Sequence, residues 1–308
     1  MNKIHFLRSF TPAREAYRCR WFGGERAGYL FVTPAILFLT VVLIFPLAYA
    51  AYLAFHEVLP QFGIKFVGLD NFRRALSDTH FWGSLRTTVI FTVVSVTLHM
   101  VLGFLLALML SQRLKGSVFF RLLLLLPWMV SQVVAGVTWR WILNAQYGVA
   151  NAVLTRIGIL HKDMPWLADV HLAFLSIVVA YAWQCFPFVM IMLYAGLQTI
   201  PKEQYEAAQI DGASAIQALR FVTIPNLQYV ILVTSLMDFI WAFRAFDLIK
   251  VLTDGGPLRS TELLSILVYR TSFEYYQFGY ASAIAMVMLL VVLAFSLVYT
   301  KLMIPREG

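Results

Sequence analysis

Besides Arg121 and Lys301 at run ends, four charged residues stand inside otherwise apolar stretches of this sequence: Arg140, Asp238, Arg244 and Asp247. A charge near the middle of a bilayer costs about 2.5–3.5 kcal/mol on insertion scales, so such a residue is expected to face protein or a water-filled interior. Asp238 lies about 12 residues into its apolar stretch, or about 18 Å along a helix at 1.5 Å per residue. A carboxylate there can accept hydrogen bonds from solute hydroxyls along a pathway. It can equally serve as the buried partner of another helix or subunit. Trp241 stands one turn further on, on nearly the same face, and offers an aromatic plane to a solute. Arg244 and Asp247 are three apart and can pair on one helix face. Arg140, at the end of its stretch, can snorkel to the interface. Trp128, Trp139, Trp141 and Trp183 either stack on a solute or belong to interfacial belts. His99 and Gln184 are single polar residues in apolar runs, suited to helix–helix hydrogen bonds.

A second set of residues with chemical potential lies between Pro201 and Pro225. A plain connector would be rich in Gly, Pro, Ser and Asn. This segment is rich in Ala, Glu, Gln and Leu, which form helices well. Pro201 suits a first helical position, and Glu203 and Glu206 fall where they complement the helix dipole. Gly212 can close that helix in a left-handed turn after Asp211. A second helix is predicted from Ala213 to about Phe221, with Pro225 marking entry to the next apolar run. Ala207, Ala208, Gly212, Ala213 and Ala215 are small and permit close approach of another backbone. The result is a protrusion suited to a groove in a cytoplasmic partner. The competing reading is a helix lying flat on the membrane, but such helices carry a Lys/Arg-rich polar face and here acids outnumber bases.

No catalytic set accompanies these residues. There is no metal-ligand spacing of His and Cys, no Gly-x-Ser-x-Gly elbow and no Gly-x-x-x-x-Gly-Lys-Ser/Thr phosphate loop. Cys19 lies in a basic tail and Cys185 in an apolar run, which argues against a disulfide.

The elements that must position these groups are membrane spans. Of 308 residues, 60% are hydrophobic and 13% charged, against about 45–50% and about 25% in soluble domains. That balance excludes a disordered or nucleic-acid-wrapping protein and argues against a soluble enzyme. The mean hydropathy is +0.75. A spanning helix needs about 20 apolar residues, and six runs qualify: residues 29–55, 87–110, 119–143, 172–197, 228–249 and 281–303. The first follows 28 polar and basic residues and is too long for a signal peptide, so it is read as a retained span. Pro34, Pro46, Pro127 and Pro187 fall inside runs and are expected to kink them. Residues 69–85 mix polar and aromatic side chains and suit a short surface helix.

An even number of spans puts both termini on one side. Lys3, Arg8, Arg14, Arg18, Arg20, Arg26, Arg113, Lys115, Arg121, Lys202, Arg220, Lys301 and Arg306 gather there, against Glu15, Glu25, Glu203, Glu206, Asp211 and Glu307. On the opposite side acids and bases nearly balance. The net charge of +8 thus records orientation, and both termini are predicted cytoplasmic. The expected organisation is a basic cytoplasmic tail over residues 1–28 and an all-α, six-span domain over residues 29–308.

The 201–225 segment resembles the cytoplasmic motif of ABC importer permeases. That motif is Glu-Ala-Ala, three residues, Gly, nine residues, then apolar-x-apolar-Pro. Here it reads Glu206-Ala207-Ala208, Gly212 and Val222-Thr223-Ile224-Pro225. Further segments are similar to the carbohydrate-uptake branch of that family, in particular its maltose-type first permease subunits. They are Phe246-Asp247-x-Ile249-x-x-Leu252-Thr253-Asp254-Gly255-Gly256-Pro257, Trp141 with Gly148-x-x-Asn151-x-x-Leu154, and Phe278-Gly279-Tyr280-Ala281-Ser282-Ala283. The family often has Gly where Asp254 stands. The resemblance covers nearly the whole chain from about Phe31.

The resemblance implies a type I ABC importer permease fold in a bacterial or archaeal plasma (inner) membrane. It implies a second, homologous permease subunit, two ATPase subunits that bind ATP and Mg, and an extracytoplasmic solute-binding protein. Glu203, Glu206, Ala207, Ala208, Ile210, Asp211 and Gly212 would couple to an ATPase subunit. Asp238, Trp241, Arg244 and Asp247 are the solute-pathway candidates. No metal, cofactor or nucleic acid is expected on this chain. The solute class implied is a sugar or related polyol. The alternative is a secondary carrier or channel driven by an ion gradient, with Asp238 as its proton or sodium site.

Overall fold

The computed structural model describes residues 25–59, 63–112 and 116–303. Most of the basic tail, with Cys19, lies outside the described residues, as do Arg113, Lys115, Arg306 and Glu307. The chain divides into two compact units, one through Ala50 and one from Ala51. In the first, α1 (Glu25–Leu39) passes through a widened π-type turn, Thr40–Ile44, into α2 (Phe45–Ala54). The large apolar side chains from Phe31 to Tyr49 are exposed, Leu37 at 62% and Leu43 at 64%, as suits a helix made for lipid or protein on all sides. Pro46 lies two residues after the widened turn. A proline ring clashes with the carbonyl four residues back, and a wider turn relieves that contact without breaking the helix.

The second unit opens with a short antiparallel hairpin of β1 (His56–Leu59) and β2 (Gly63–Phe66). Val58 and Ile64 pair on its apolar side, and Glu57 and Lys65 pair on the other. This hairpin is the one departure from an all-helical chain among the described residues. Asn71, buried in α3 (Asp70–Ser77), ties it down by donating to the carbonyls of Ala54 and His56 at 3.0 Å each. After α3, Asp78 caps α4 (Thr79–Ser111) by accepting from the His80 N–H at 2.8 Å. α4 therefore starts well before the apolar run near residue 87. Its first turns carry polar groups such as Ser84, which bonds to Glu262 inside the protein. The helix expected over residues 69–85 is thus two pieces, α3 and the start of α4.

The third apolar run is not one straight span. α5 (Ser117–Met129) and α6 (Gln132–Ile142) meet at 94°, and Val130 and Ser131 between them are extended. α7 (Val149–Arg156) and α8 (Val170–Gln198) follow, then α9 (Lys202–Ile210), α10 (Ala215–Ala218) and α11 (Ile224–Phe243). α12 (Asp247–Leu252), α13 (Leu264–Tyr269) and α14 (Phe278–Met303) complete the chain. Among the described residues five helical runs are long and apolar enough to cross a membrane, and the bent α5–α6 pair makes a sixth when counted as one span.

α8 is the central span. Of its most apolar stretch 61% is buried, against 17% for α14. It packs on α4, α5 and α11 through Ile177, Tyr181, Val189, Met190 and Leu193. Without an oil–water drive between spans, small residues and close packing hold such helices together. Gly103 on α4 shows this: a Cβ there would come within 2.9 Å of the Met190 backbone.

Beyond α12 an ion network holds the chain. Glu262 is 1% exposed and accepts from Arg270 at 2.6 Å and from Ser84 at 3.1 Å. Arg270 also reaches Asp254 and Glu274, and Lys250 joins the same two acids at 2.7 and 3.1 Å. Burial pushes the Arg270 guanidinium down, but the Glu262 bond and the neighbouring acids outweigh it, so its proton is held more tightly than usual. Breaking a buried pair strands the other charge. Arg270→Met is expected to cost about 3 kcal/mol, read as a lower melting temperature in detergent, whereas Arg259→Met, on a more exposed partner of the same acid, should change stability by at most about 1 kcal/mol.

Asp78 gives a pH prediction. Burial raises its pKa, but the Tyr280 hydroxyl, donating at 2.6 Å, and the His80 N–H lower it further, so the net shift is downward. A depressed carboxylate stabilises the fold above its unfolded range and loses that effect as pH falls through its folded value. Asp78→Asn should therefore lower the melting temperature at neutral pH, with the gap to the parent closing below about pH 4.

Candidate functional site

A cavity of about 700 Å³ lies where two helical runs break. The α5–α6 break contributes Trp128, Val130, Ser131 and Gln132, and the α11–α12 break contributes Trp241 and residues 244–247. α8 closes it with Tyr181, Gln184 and Cys185. Backbone groups freed at a break inside a membrane have no water to turn to unless they line a cavity or find protein partners. Both occur here. Gln184 Nε2 donates to the Val130 carbonyl at 2.8 Å, and Ser265 Oγ donates to the Ala245 carbonyl. Arg140 Nη1 lies 3.5 Å from the Val251 carbonyl, so α6 and α12, which pack together, are also joined by a long polar contact.

The lining is suited to a polyhydroxylated solute. Trp128 and Trp241 flank Phe188, with ring centroids 6.1 and 4.6 Å from it, and present an aromatic wall. Ser131, Gln132, Gln184, Arg244 and Asp247 supply donors and acceptors at its edge. Apolar faces with a few placed polar groups are the usual make-up of a small-molecule site. Arg244 and Asp247 bring opposite charges, so their formal charges cancel.

Three of the four predicted pathway residues, Trp241, Arg244 and Asp247, therefore meet at one cavity. Asp238 does not join them. It is 1% exposed, and both its carboxylate oxygens accept from His99 Nδ1, at 3.0 and 2.9 Å. In this structure Asp238 is the buried partner of His99 on α4. The expected Arg244–Asp247 pair also needs correction: no ion pair joins them. α11 ends at Phe243, so the two residues belong to different helices rather than to one face. Tyr181, Gln132 and Ser265 were not singled out in the sequence, and Phe246 only as part of the 246–257 signature. Pro127, three residues before the first break, was the available signal for that bend.

The 201–225 segment is built as two arms. α9 ends in a Schellman turn: Gly212 has φ +75°, its N–H reaches the Gln209 carbonyl at 3.0 Å, and the Ala213 N–H reaches the Ala208 carbonyl at 2.9 Å. Ser214 and Gln217 then form a reciprocal capping box at the start of α10. The second arm is not a separate helix ending before Pro225. α10 continues through a widened turn, Leu219–Thr223, directly into α11. The wider turn again accommodates a proline, Pro225, two residues after it. Tyr205 bonds Thr223 at 3.0 Å and Asn226 donates to Gln204 at 2.7 Å, fixing α9 against α11. Glu203, Glu206, Ala207, Asp211 and Gly212 are exposed and Ala208 is half-buried. Ile210 is 87% exposed and Ile216 77%, an apolar tip between acids.

A helical membrane protein with a polar-edged cavity at broken spans and a rigid knob at one end of a span has the construction of a transporter subunit. Residues 81–303 match the family described as binding-protein-dependent transport system inner membrane component, and the chain belongs to that family, the permease subunits of ABC importers. It is 39% identical over 280 residues to the trehalose/maltose transport system permease protein MalF of Thermococcus litoralis, covering 90% of this chain and 93% of that one. It is 33% identical over 304 residues to the diacetylchitobiose uptake system permease protein DasB of Streptomyces coelicolor, covering 96% and 91%. In fold it is similar to a chain of a bacterial ABC transporter that imports the acidic polysaccharide alginate, with a TM-score of 0.80 at 22% identity over 91% of this chain and 96% of that one.

The Gln184 bond predicts a measurable effect. Gln184→Leu strands the Val130 carbonyl at the break and is expected to cost about 1–3 kcal/mol, seen as a lower melting temperature of the purified protein.

Proposed function

We propose that this chain is the permease subunit through which an ATP-driven importer takes up a sugar or related polyol. It sits in a bacterial or archaeal plasma (inner) membrane with both termini cytoplasmic. It pairs with a second, homologous permease. Two ATPase subunits, which bind the ATP and Mg, dock on the cytoplasmic face, and an extracytoplasmic binding protein delivers the solute.

The single observation that carries this reading is the cavity at the two helix breaks, walled by Trp128, Tyr181 and Trp241 and edged by Gln132, Gln184, Arg244 and Asp247. Aromatic faces suit the C–H faces of a sugar ring, and the edge groups suit its hydroxyls. The relatives named for trehalose/maltose and diacetylchitobiose transport support the same solute class. On the cytoplasmic side, Ile210 and its neighbours Glu203, Glu206, Ala207, Ala208, Asp211 and Gly212 form the tip that enters the ATPase subunit. The helical knob, with Ile210 87% exposed at its tip, supports this docking role. The ion-gradient carrier is set aside because the chain belongs to the binding-protein-dependent permease family.

Two measurements test this. Ile210→Asp should abolish co-purification of the ATPase subunits while leaving membrane insertion and melting temperature unchanged; retention of the ATPase would refute the docking role. In proteoliposomes of the whole importer, Trp241→Ala should raise the solute concentration for half-maximal uptake about tenfold, the scale of losing an aromatic contact of about 1.5 kcal/mol. Unchanged half-saturation would place the solute elsewhere.

A further inference from the structure

α11 connects the two functional ends of the molecule. Its helical run is unbroken from the Ser214 cap to Phe243, with Thr223 bonded to Tyr205 of the knob at one end and Trp241 and Arg244 on the cavity at the other. Between residues 227 and 243 it makes two side-chain hydrogen bonds to other helices among the described residues. Both fall within one turn: Ser235 with Tyr299 of α14 at 2.6 Å, and Asp238 with His99 of α4 at 2.9 and 3.0 Å. Above and below that level its lateral contacts are apolar, and apolar contacts have no preferred direction.

His99 and Asp238 are 0% and 1% exposed. The His99 ring also lies 5.4 Å from the ring of Tyr181 on α8, which lines the cavity. Three spans thus meet at one polar point. Replacing a buried pair of this kind with apolar residues is often neutral or stabilising, so stability alone gives no reason for it. A directional bond does what packing does not: it fixes one point of a rod while the rest can tilt.

We propose that His99 and Asp238 are positioning residues that form the pivot of α11, through which movement of the 201–225 knob is delivered to the cavity wall. This rests on the permease reading above. Thr223 lies fifteen positions from the pivot and Arg244 six, or about 22 Å and about 9 Å at 1.5 Å per residue. A displacement at the knob therefore reaches the cavity rim reduced to about two-fifths and reversed in direction. Trp241, within one turn of the pivot, moves little. Tyr181 is held by the same contact.

The test uses the complete importer in proteoliposomes, with ATP hydrolysis, solute uptake and melting temperature measured together. Three forms are compared: the parent, His99→Leu with Asp238→Val, and the exchange His99→Asp with Asp238→His. The apolar pair is expected to assemble, to melt near the parent and to keep ATP hydrolysis and solute half-saturation within about twofold. Its uptake per ATP should fall about tenfold, the size of an ordinary coupling energy. The exchange should restore most of that ratio. Parent-like uptake per ATP in the apolar pair would overturn the pivot, and so would an exchange that restores nothing. Uptake and hydrolysis falling together with lost assembly would make the pair merely structural and overturn it as well. A parent complex with no ATP-dependent uptake would bring down the permease reading, and the pivot with it, by a result the variants cannot mimic.

Discussion

A backbone carbonyl freed inside a bilayer must find a partner in the protein, and this structure is arranged around two places where that demand arises. At Val130 the partner is Gln184, and at Ala245 it is Ser265. These bonds allow α5–α6 and α11–α12 to break at membrane depth without exposing peptide groups to lipid. The cavity is the space the breaks create. Its polar edge is made of residues at the broken ends, and its floor is α8, the most buried span.

The second consequence is mechanical. Because the knob's second arm is the beginning of α11 itself, the knob and the cavity are ends of one helical run. A hinge between them would dissipate movement. The widened turn at Leu219–Thr223 avoids one by absorbing Pro225 without a break. α9 is fastened to that run by Tyr205–Thr223 and Gln204–Asn226, so the exposed tip at Ile210 does not swing freely.

Much of this was legible in the residues. Hydropathy located the spans, the Glu-Ala-Ala spacing located the knob, and Gly212 takes the left-handed turn that its position required. Where the sequence misled, long-range partners were responsible. Pro127 signalled a kink in the third apolar run but not a bend of 94°, because the bond that stabilises the bend comes from Gln184, far along the chain. Arg244 and Asp247 are spaced as a helical pair, but α11 ends before Arg244 and α12 begins at Asp247. Asp238 and His99 were each recognisable as costly in a membrane, yet nothing local says that they satisfy each other across a separation of 139 positions. Helix starts were misjudged for the same reason. α4 extends through polar residues because Ser84 and Asp78 find partners on later elements.

On the proposed function, solute passes through the space at the two helix breaks. The most direct measurement is a cryo-electron microscopy map of the assembled importer trapped with its solute in the membrane. Ring-shaped density is expected against Trp128, Tyr181 and Trp241, with Arg244 and Asp247 within hydrogen-bond reach of its hydroxyls. Well-resolved solute density elsewhere in the complex, with this cavity filled by side chains in every trapped state, would contradict it.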